Sequence, residues 1–290
     1  MILDFLLLSD PNVRIVLLGT MLLSTSSSMI GTFALLKKKT LTSDAIAHAV
    51  LPGTCIAFFV TGEKNTTWLI IGAFITGWLS SIAICKITDH SKIKKDTAIA
   101  IVSSISFGLG NFLLSMLQHN SQANQCGLKS FLLGSAATLL NEDILLLLGL
   151  NLAIIVTLLL FFKAFMVIAF DPLFAKSIGL PVKKIDFLFT TLMVLAIVIG
   201  IRTVGTVLMS AMLITPATTA RFCTDKISRI MLLAIGISFF SSFTGTFISY
   251  SIPYMPTGPW IVLTMSLIAY GSFLMAWYYR TIKKNGGQTF

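Results

Sequence analysis

The sequence predicts an all-α polytopic integral membrane protein with about nine transmembrane helices, eight to ten at the limits. Three observations lead there. Hydrophobic residues make up 56% of the 290 and charged residues only 11%, against about 25% charged in a soluble domain. Several apolar runs reach the ~20 residues that a helix needs to cross a bilayer. The strand-like alternation between turn signals that marks a membrane barrel is absent.

Taken in order, the first run, 12–36, carries Ser24-Thr25-Ser26-Ser27-Ser28 and stops at Lys37, Lys38 and Lys39. Small residues of this kind let helices approach closely. The second, 41–61, contains Asp44, His48 and the Pro52-Gly53 pair. The third and fourth, 67–87 and 97–117, flank a lysine-rich loop, and the fifth is 143–168. A loop rich in capping and turn residues, 170–184, leads to the sixth, 185–202. Pro216 interrupts the seventh, 204–222, which makes it a candidate for a broken or re-entrant segment. The eighth and ninth cover 227–250 and 259–279, and the whole of 1–290 reads as one transmembrane domain.

A net charge of +10 invites a nucleic-acid reading, but its placement argues against one. Sixteen of the 21 Lys and Arg residues fall in loops on one side: Lys37 to Lys39, Lys86 to Lys95, Lys176 to Lys184, Arg221 to Arg229, and Arg280 to Lys284. The other side holds Arg14, Lys64, Lys129 and Arg202. Cytoplasmic loops carry such an excess, so the N-terminus is expected outside, the C-terminus inside, and the span count odd. Lys37 to Lys39 suit a topological anchor with anionic-lipid contact. Four scattered cysteines, without a C-x-x-C pair, argue against a disulfide framework. "MILDFLLLSDP" lacks a basic n-region and is not read as a removable signal peptide.

Asp44 and His48 are the least expected residues of the second span. If Lys39 marks the interface, Asp44 lies roughly 7 Å and His48 roughly 13 Å along the helix. A charged residue at that depth costs on the order of 2.5–3.5 kcal/mol, and a spacing of four puts both on one face. Asp44, following Thr42 and Ser43, also suits a helix N-cap, although that leaves the histidine unexplained. Carboxylate plus imidazole suits divalent ions such as zinc or manganese, and equally a proton relay. One chain offers two ligands where a tetrahedral site takes four, so a two-fold dimer would complete it.

The 170–184 linker encodes a short helix. Asp171 is a good N-cap and Pro172 a good first residue, while Gly179 suits the C-cap and Pro181 blocks continuation. Leu173, Phe174 and Ile178 are more apolar than a free loop requires. They fit either a helix lying on the membrane or one seated in a partner's groove. The phosphate-binding sequence G-x-x-x-x-G-K followed by Ser or Thr is missing, so ATP hydrolysis is not expected of this chain.

"SDAIAHAVLPG" (43–53) resembles the signature of the ABC-3 family, the membrane permeases of zinc and manganese ATP-binding cassette importers. "KDTAIAI" (95–101), "FDPLFAKSIGLPV" (170–182) and "VGTVLMSAMLITPATTA" (204–220) match it further, in order. The family's first stretch typically has Gly before Asp and Ser before His, where this chain has Ser43 and Ala47. Both are small and leave the ligand types intact. The resemblance implies a type II importer permease fold in a bacterial cytoplasmic membrane, and a homodimer or a heterodimer with a similar permease. It also implies cytoplasmic ATP-binding subunits coupled through Asp171, Leu173, Phe174, Ile178 and Gly179, and an extracytoplasmic metal-binding protein as donor. Asp44 and His48 would coordinate the passing ion (manganese or zinc, with iron served by the same donors), and no permanently bound cofactor is implied.

Other functions are weighed against this one. A proton-coupled secondary transporter would use Asp44 and His48 as a relay and often shows inverted repeats, which are not evident here. A permease for a metal chelate or a vitamin has no need of the pair. An intramembrane metalloprotease would need H-E-x-x-H or an equivalent set, and the sequence has neither.

Overall fold

The structure, a computed structural model, describes residues 11–62, 65–119, 141–252 and 255–286. Lys64, Lys129 and Cys126 lie outside them. The regular elements of the described residues are all helices: α1 (Pro11–Leu36), α2 (Thr40–Thr61), α3 (Thr66–His90), α4 (Lys95–His119), α5 (Asn141–Leu160), α6 (Phe162–Phe170), α7 (Pro172–Ser177), α8 (Val182–Val204), α9 (Thr206–Cys223), α10 (Ile227–Ser251) and α11 (Thr257–Gly286).

Seven of them, α1 to α4, α8, α10 and α11, are long and apolar enough to cross a membrane. The pair α5–α6 qualifies jointly and brings the number to 8 if it is one span. The nine expected from sequence are therefore not reached among the described residues, and two elements explain the difference. Residues 143–168 were expected as one straight span, but the chain bends by 64° between α5 and α6. Neither Pro nor Gly stands at this bend. Beyond it, Phe162 and Phe165 both turn onto Phe33 of α1, with ring centroids 5.6 and 5.7 Å away. The second element is 204–222. It forms an unbroken helix, α9, with Pro216 inside it, so the expected break is not there. Its Thr206, Ser210, Thr215, Thr218 and Thr219 lower its hydropathy. Packing against α1, α10 and α11 explains how it tolerates them.

The core gathers around α1 and α8. Phe33, Phe165 and Phe189 are fully buried and bring α1, α6 and α8 together. Met209 and Met212 of α9 are buried in the same cluster, which makes them core filling. Ser24, Ser26, Ser27 and Ser28 are buried too. Ser24, Ser26 and Ser28 each lie within reach of a carbonyl one turn back, and the Ser26 hydroxyl also reaches across to Asn151 Oδ1 of α5 at 2.6 Å. Toward the opposite flank, α2 packs between α3 and α4. The contact with α3 is close: a Cβ on Gly53 would collide with the Gly72 carbonyl, and one on Gly72 with the carbonyl of Gly53. Only 22% of the membrane window of α4 is buried, against 72% for α1, so α4 leaves a broad face uncovered.

Candidate metal site and coupling segment

Lys39 is the N-cap of α2 and makes no side-chain cap. Helical residues begin at Thr40, so Asp44 stands one turn inside and does not cap the helix. Around it, Ser43, Ala45, Ile46, Ala47 and Ala49 are buried, whereas the Asp44 side chain is 51% exposed and that of His48 28%. Leu41, one turn earlier, shares the open stripe. The packing of α2 therefore hides its small and aliphatic residues and presents the carboxylate and imidazole outward. His48 Nε2 lies 3.8 Å from Asp44 Oδ2, longer than a hydrogen bond. The His48 ring stands edge-on to Phe107 of α4, centroids 5.3 Å apart.

Pro52 runs through the helix four residues beyond His48. It has no N–H, so the His48 carbonyl loses its usual intrahelical donor. That end of the site thus presents a carboxylate, an imidazole and an under-satisfied carbonyl. Among the described residues, no group of three or more His, Cys, Asp or Glu side chains could enclose an ion. One chain brings two such side-chain donors together and stops there.

The short helix expected within 170–184 is formed with the caps its sequence suggests. Asp171 Oδ1 accepts hydrogen bonds from the amides of Leu173 at 2.8 Å and Phe174 at 3.0 Å. Pro172 opens α7. At the other end, Gly179 takes φ 83°, the left-handed conformation that glycine adopts without penalty. The Leu180 amide donates to Ala175 O and the Gly179 amide to Lys176 O, both at 3.0 Å. This is the two-bond Schellman closure. Ala175 is buried, while Leu173, Phe174 and Ile178 are 75%, 55% and 52% exposed. A six-residue helix is thus capped at both ends, anchored by one methyl group, and shows three large apolar side chains to the outside.

A third arrangement was not anticipated. Asp186, in the first turn or so of α8, accepts from Lys37 Nζ at 2.8 Å through Oδ1 and from Lys39 Nζ at 2.7 Å through Oδ2. Lys37 also stands 4.9 Å from the centroid of the Phe189 ring. Burial pushes its ammonium below the ordinary lysine value, and the hydrogen bond to Asp186 offsets only part of that. The lone acid in "VKKID" was the available signal. Nothing local tells that its partners sit at the end of α1.

Similarity to known proteins decides among these functions. The ABC 3 transport family model matches residues 9–276. The chain belongs to the ABC 3 transport family. Within it, the manganese transport system membrane protein MntC of Bacillus subtilis is 42% identical over 94% of this chain, which spans 62% of that protein's length. The zinc transport system membrane protein TroC of Treponema pallidum is 37% identical over 93% of this chain and 90% of its own. A solved structure, PsaBC from Streptococcus pneumoniae in complex with Fab, contains a chain that superposes with a TM-score of 0.81 at 33% identity. The match covers 94% of this chain and 95% of that one. ABC 3 membership makes the protein a transport component rather than an enzyme, and it disfavours the gradient-driven alternative.

Proposed function

We propose that the protein is the membrane permease subunit of an ATP-driven importer for a divalent transition metal, manganese or zinc. The observation that carries the reading is the Asp44–His48 pair, held open on a helix whose other positions in that turn are packed away. A two-fold mate, identical or a similar permease, would add a second aspartate and histidine and complete a four-ligand cage. The uncovered face of α4, which carries the Phe107 beside His48, is the surface for that mate. Relatives named for manganese and for zinc transport support the cargo class. The donors accommodate iron as well.

Energy would enter through α7. Its exposed Leu173, Phe174 and Ile178 have the character of a helix that seats in a partner's groove, here a cytoplasmic ATP-binding subunit. Closure of two such subunits would rock the paired permeases and turn the Asp44/His48 face alternately outward and inward. An extracytoplasmic binding protein would load the ion from the other side. The basic loops then face the cytoplasm, with the N-terminus outside and the C-terminus inside. That orientation requires an odd number of crossings, so α9 would traverse as well, shielded from lipid by α1, α10 and α11.

The deciding experiment is uptake of manganese and of zinc by proteoliposomes holding the permease with its ATP-binding subunits. Uptake should need ATP and should collapse in Asp44→Ala and in His48→Ala. Parental uptake in both variants would remove these residues from the pathway.

A further inference from the structure

A cavity of about 950 Å³ opens at the end of the molecule where α1 meets α2, and also takes in residues of α3, α6, α7 and α8. Its lining includes Lys37, Lys38, Lys39, Lys86, Lys176 and Lys183, set against Asp89 and Asp186. Asp186 is already engaged by Lys37 and Lys39. The mouth therefore keeps a marked excess of positive charge, from lysines drawn from four separate stretches of the chain.

Deeper in, the lining changes character. On α3 the residues Lys86, Ile82 and Trp78 line it at intervals of four, so a cation gives way to an indole over roughly 12 Å of helix. On α8, Lys183 and Phe187 repeat the gradient at the same spacing. The inner ends meet, with the Trp78 and Phe187 rings edge-to-face and centroids 5.4 Å apart. Leu36, Ile168 and Val182 add apolar wall. A free phosphate or a nucleotide would satisfy the lysines and leave the apolar half unfilled. A phospholipid satisfies both halves, with its phosphate at the mouth and its upper acyl chain along Trp78 and Phe187. Basic pockets between membrane helices bind anionic headgroups in this manner.

We propose that this cavity is a binding site for an anionic phospholipid, holding the headgroup phosphate among Lys38, Lys86, Lys176 and Lys183 and the chain against Trp78 and Phe187. Pro172 and Lys176 of α7 line the same cavity, so an occupant would brace the coupling segment from behind. Such a site is independent of the cargo and of Asp44 and His48.

The test is native mass spectrometry of the full-length protein with phosphatidylglycerol or phosphatidylcholine, alongside its Lys86→Gln/Lys183→Gln variant. A Lys92→Gln/Lys94→Gln variant serves as control, because these neighbouring lysines do not line the cavity. Phosphatidylglycerol should be retained in preference to phosphatidylcholine. Retention should fall roughly tenfold in the first variant, stay unchanged in the control, and return in Lys86→Arg/Lys183→Arg. Melting temperatures identify any variant that has merely lost its fold, and the arginine pair then carries the comparison. Equal retention of the two lipids, an unchanged glutamine variant, failure of the arginine pair, or ready displacement by inorganic phosphate would each overturn the proposal.

Discussion

Lys37 Nζ donates to Asp186 Oδ1 at 2.8 Å across 149 residues of sequence, fastening the end of α1 to the start of α8. The lysine side chain is 6% exposed and the aspartate 40%. Removing the acid alone strands the buried Lys37 together with the less buried Lys39, and removing Lys37 with it leaves only Lys39 without this partner. Asp186→Ala should cost about 1–3 kcal/mol, visible as a lower melting temperature in detergent. Lys37→Met/Asp186→Leu should recover at least half of that loss. A double variant less stable than Asp186→Ala would show that the pair acts through something other than charge compensation.

At the proposed metal site, Asp44→Ala and His48→Ala should each lower ion uptake by on the order of 10–100-fold or more, since loss of even supporting contacts to a metal ligand costs that much. Neither side chain holds the core together, so stability should hold. Uptake with and without each substitution, beside melting curves, separates a ligand role from a structural one.

If two permeases meet over this face, Leu41 should lie near the seam, one turn from Asp44 on the same exposed stripe. Leu41→Cys in a chain lacking Cys85, Cys126 and Cys223 should give dimers on oxidation in membranes, while Phe59→Cys, exposed near the far end of α2, should not. A disulfide needs Cα atoms within about 7 Å. Equal cross-linking at both positions would point to random collision instead of a defined interface.

In the coupling segment, side chains and caps should separate. Leu173→Ser and Phe174→Ser should weaken co-purification of the ATP-binding subunits and leave the melting temperature of the permease alone. Gly179→Ala forces a side chain into φ 83° at a cost of about 1–2 kcal/mol. It should loosen the segment even without a partner, read as faster hydrogen exchange over 172–180.

The Gly53–Gly72 contact gives a purely steric prediction. Gly53→Ala should push α2 from α3 and destabilise the fold by about 1–3 kcal/mol. Gly236→Ala, where a Cβ meets nothing within 4 Å, should be neutral or slightly stabilising. Thermal unfolding of the two variants checks both.

Much of the architecture was legible because bilayer thickness imposes a length on apolar runs, and α1 to α4, α8, α10 and α11 fall close to the stretches expected. The segment from Asp171 to Gly179 was legible for a different reason: caps are local, and each residue type there has one conformational use. The bend between α5 and α6 was not, because its explanation is Phe33 on a distant helix. Nor was the continuity of α9 through Pro216, since proline breaks a helix by a local rule and survives by tertiary enclosure. Asp44 and His48 stood out as ionisable residues in an apolar run. That they are turned outward became visible only once α3 and α4 were in place.

Both ends of α7 are closed by the chain's own residues, Asp171 at one and Gly179 at the other. A partner that seats on this helix meets a shape already made, so little conformational freedom is lost in the encounter. The same stiffness matters once the two are joined. A floppy loop would soak up a push from an ATP-driven motor, whereas under the proposed coupling role this knuckle would pass the displacement straight into α6 and α8, the helices on which it is mounted.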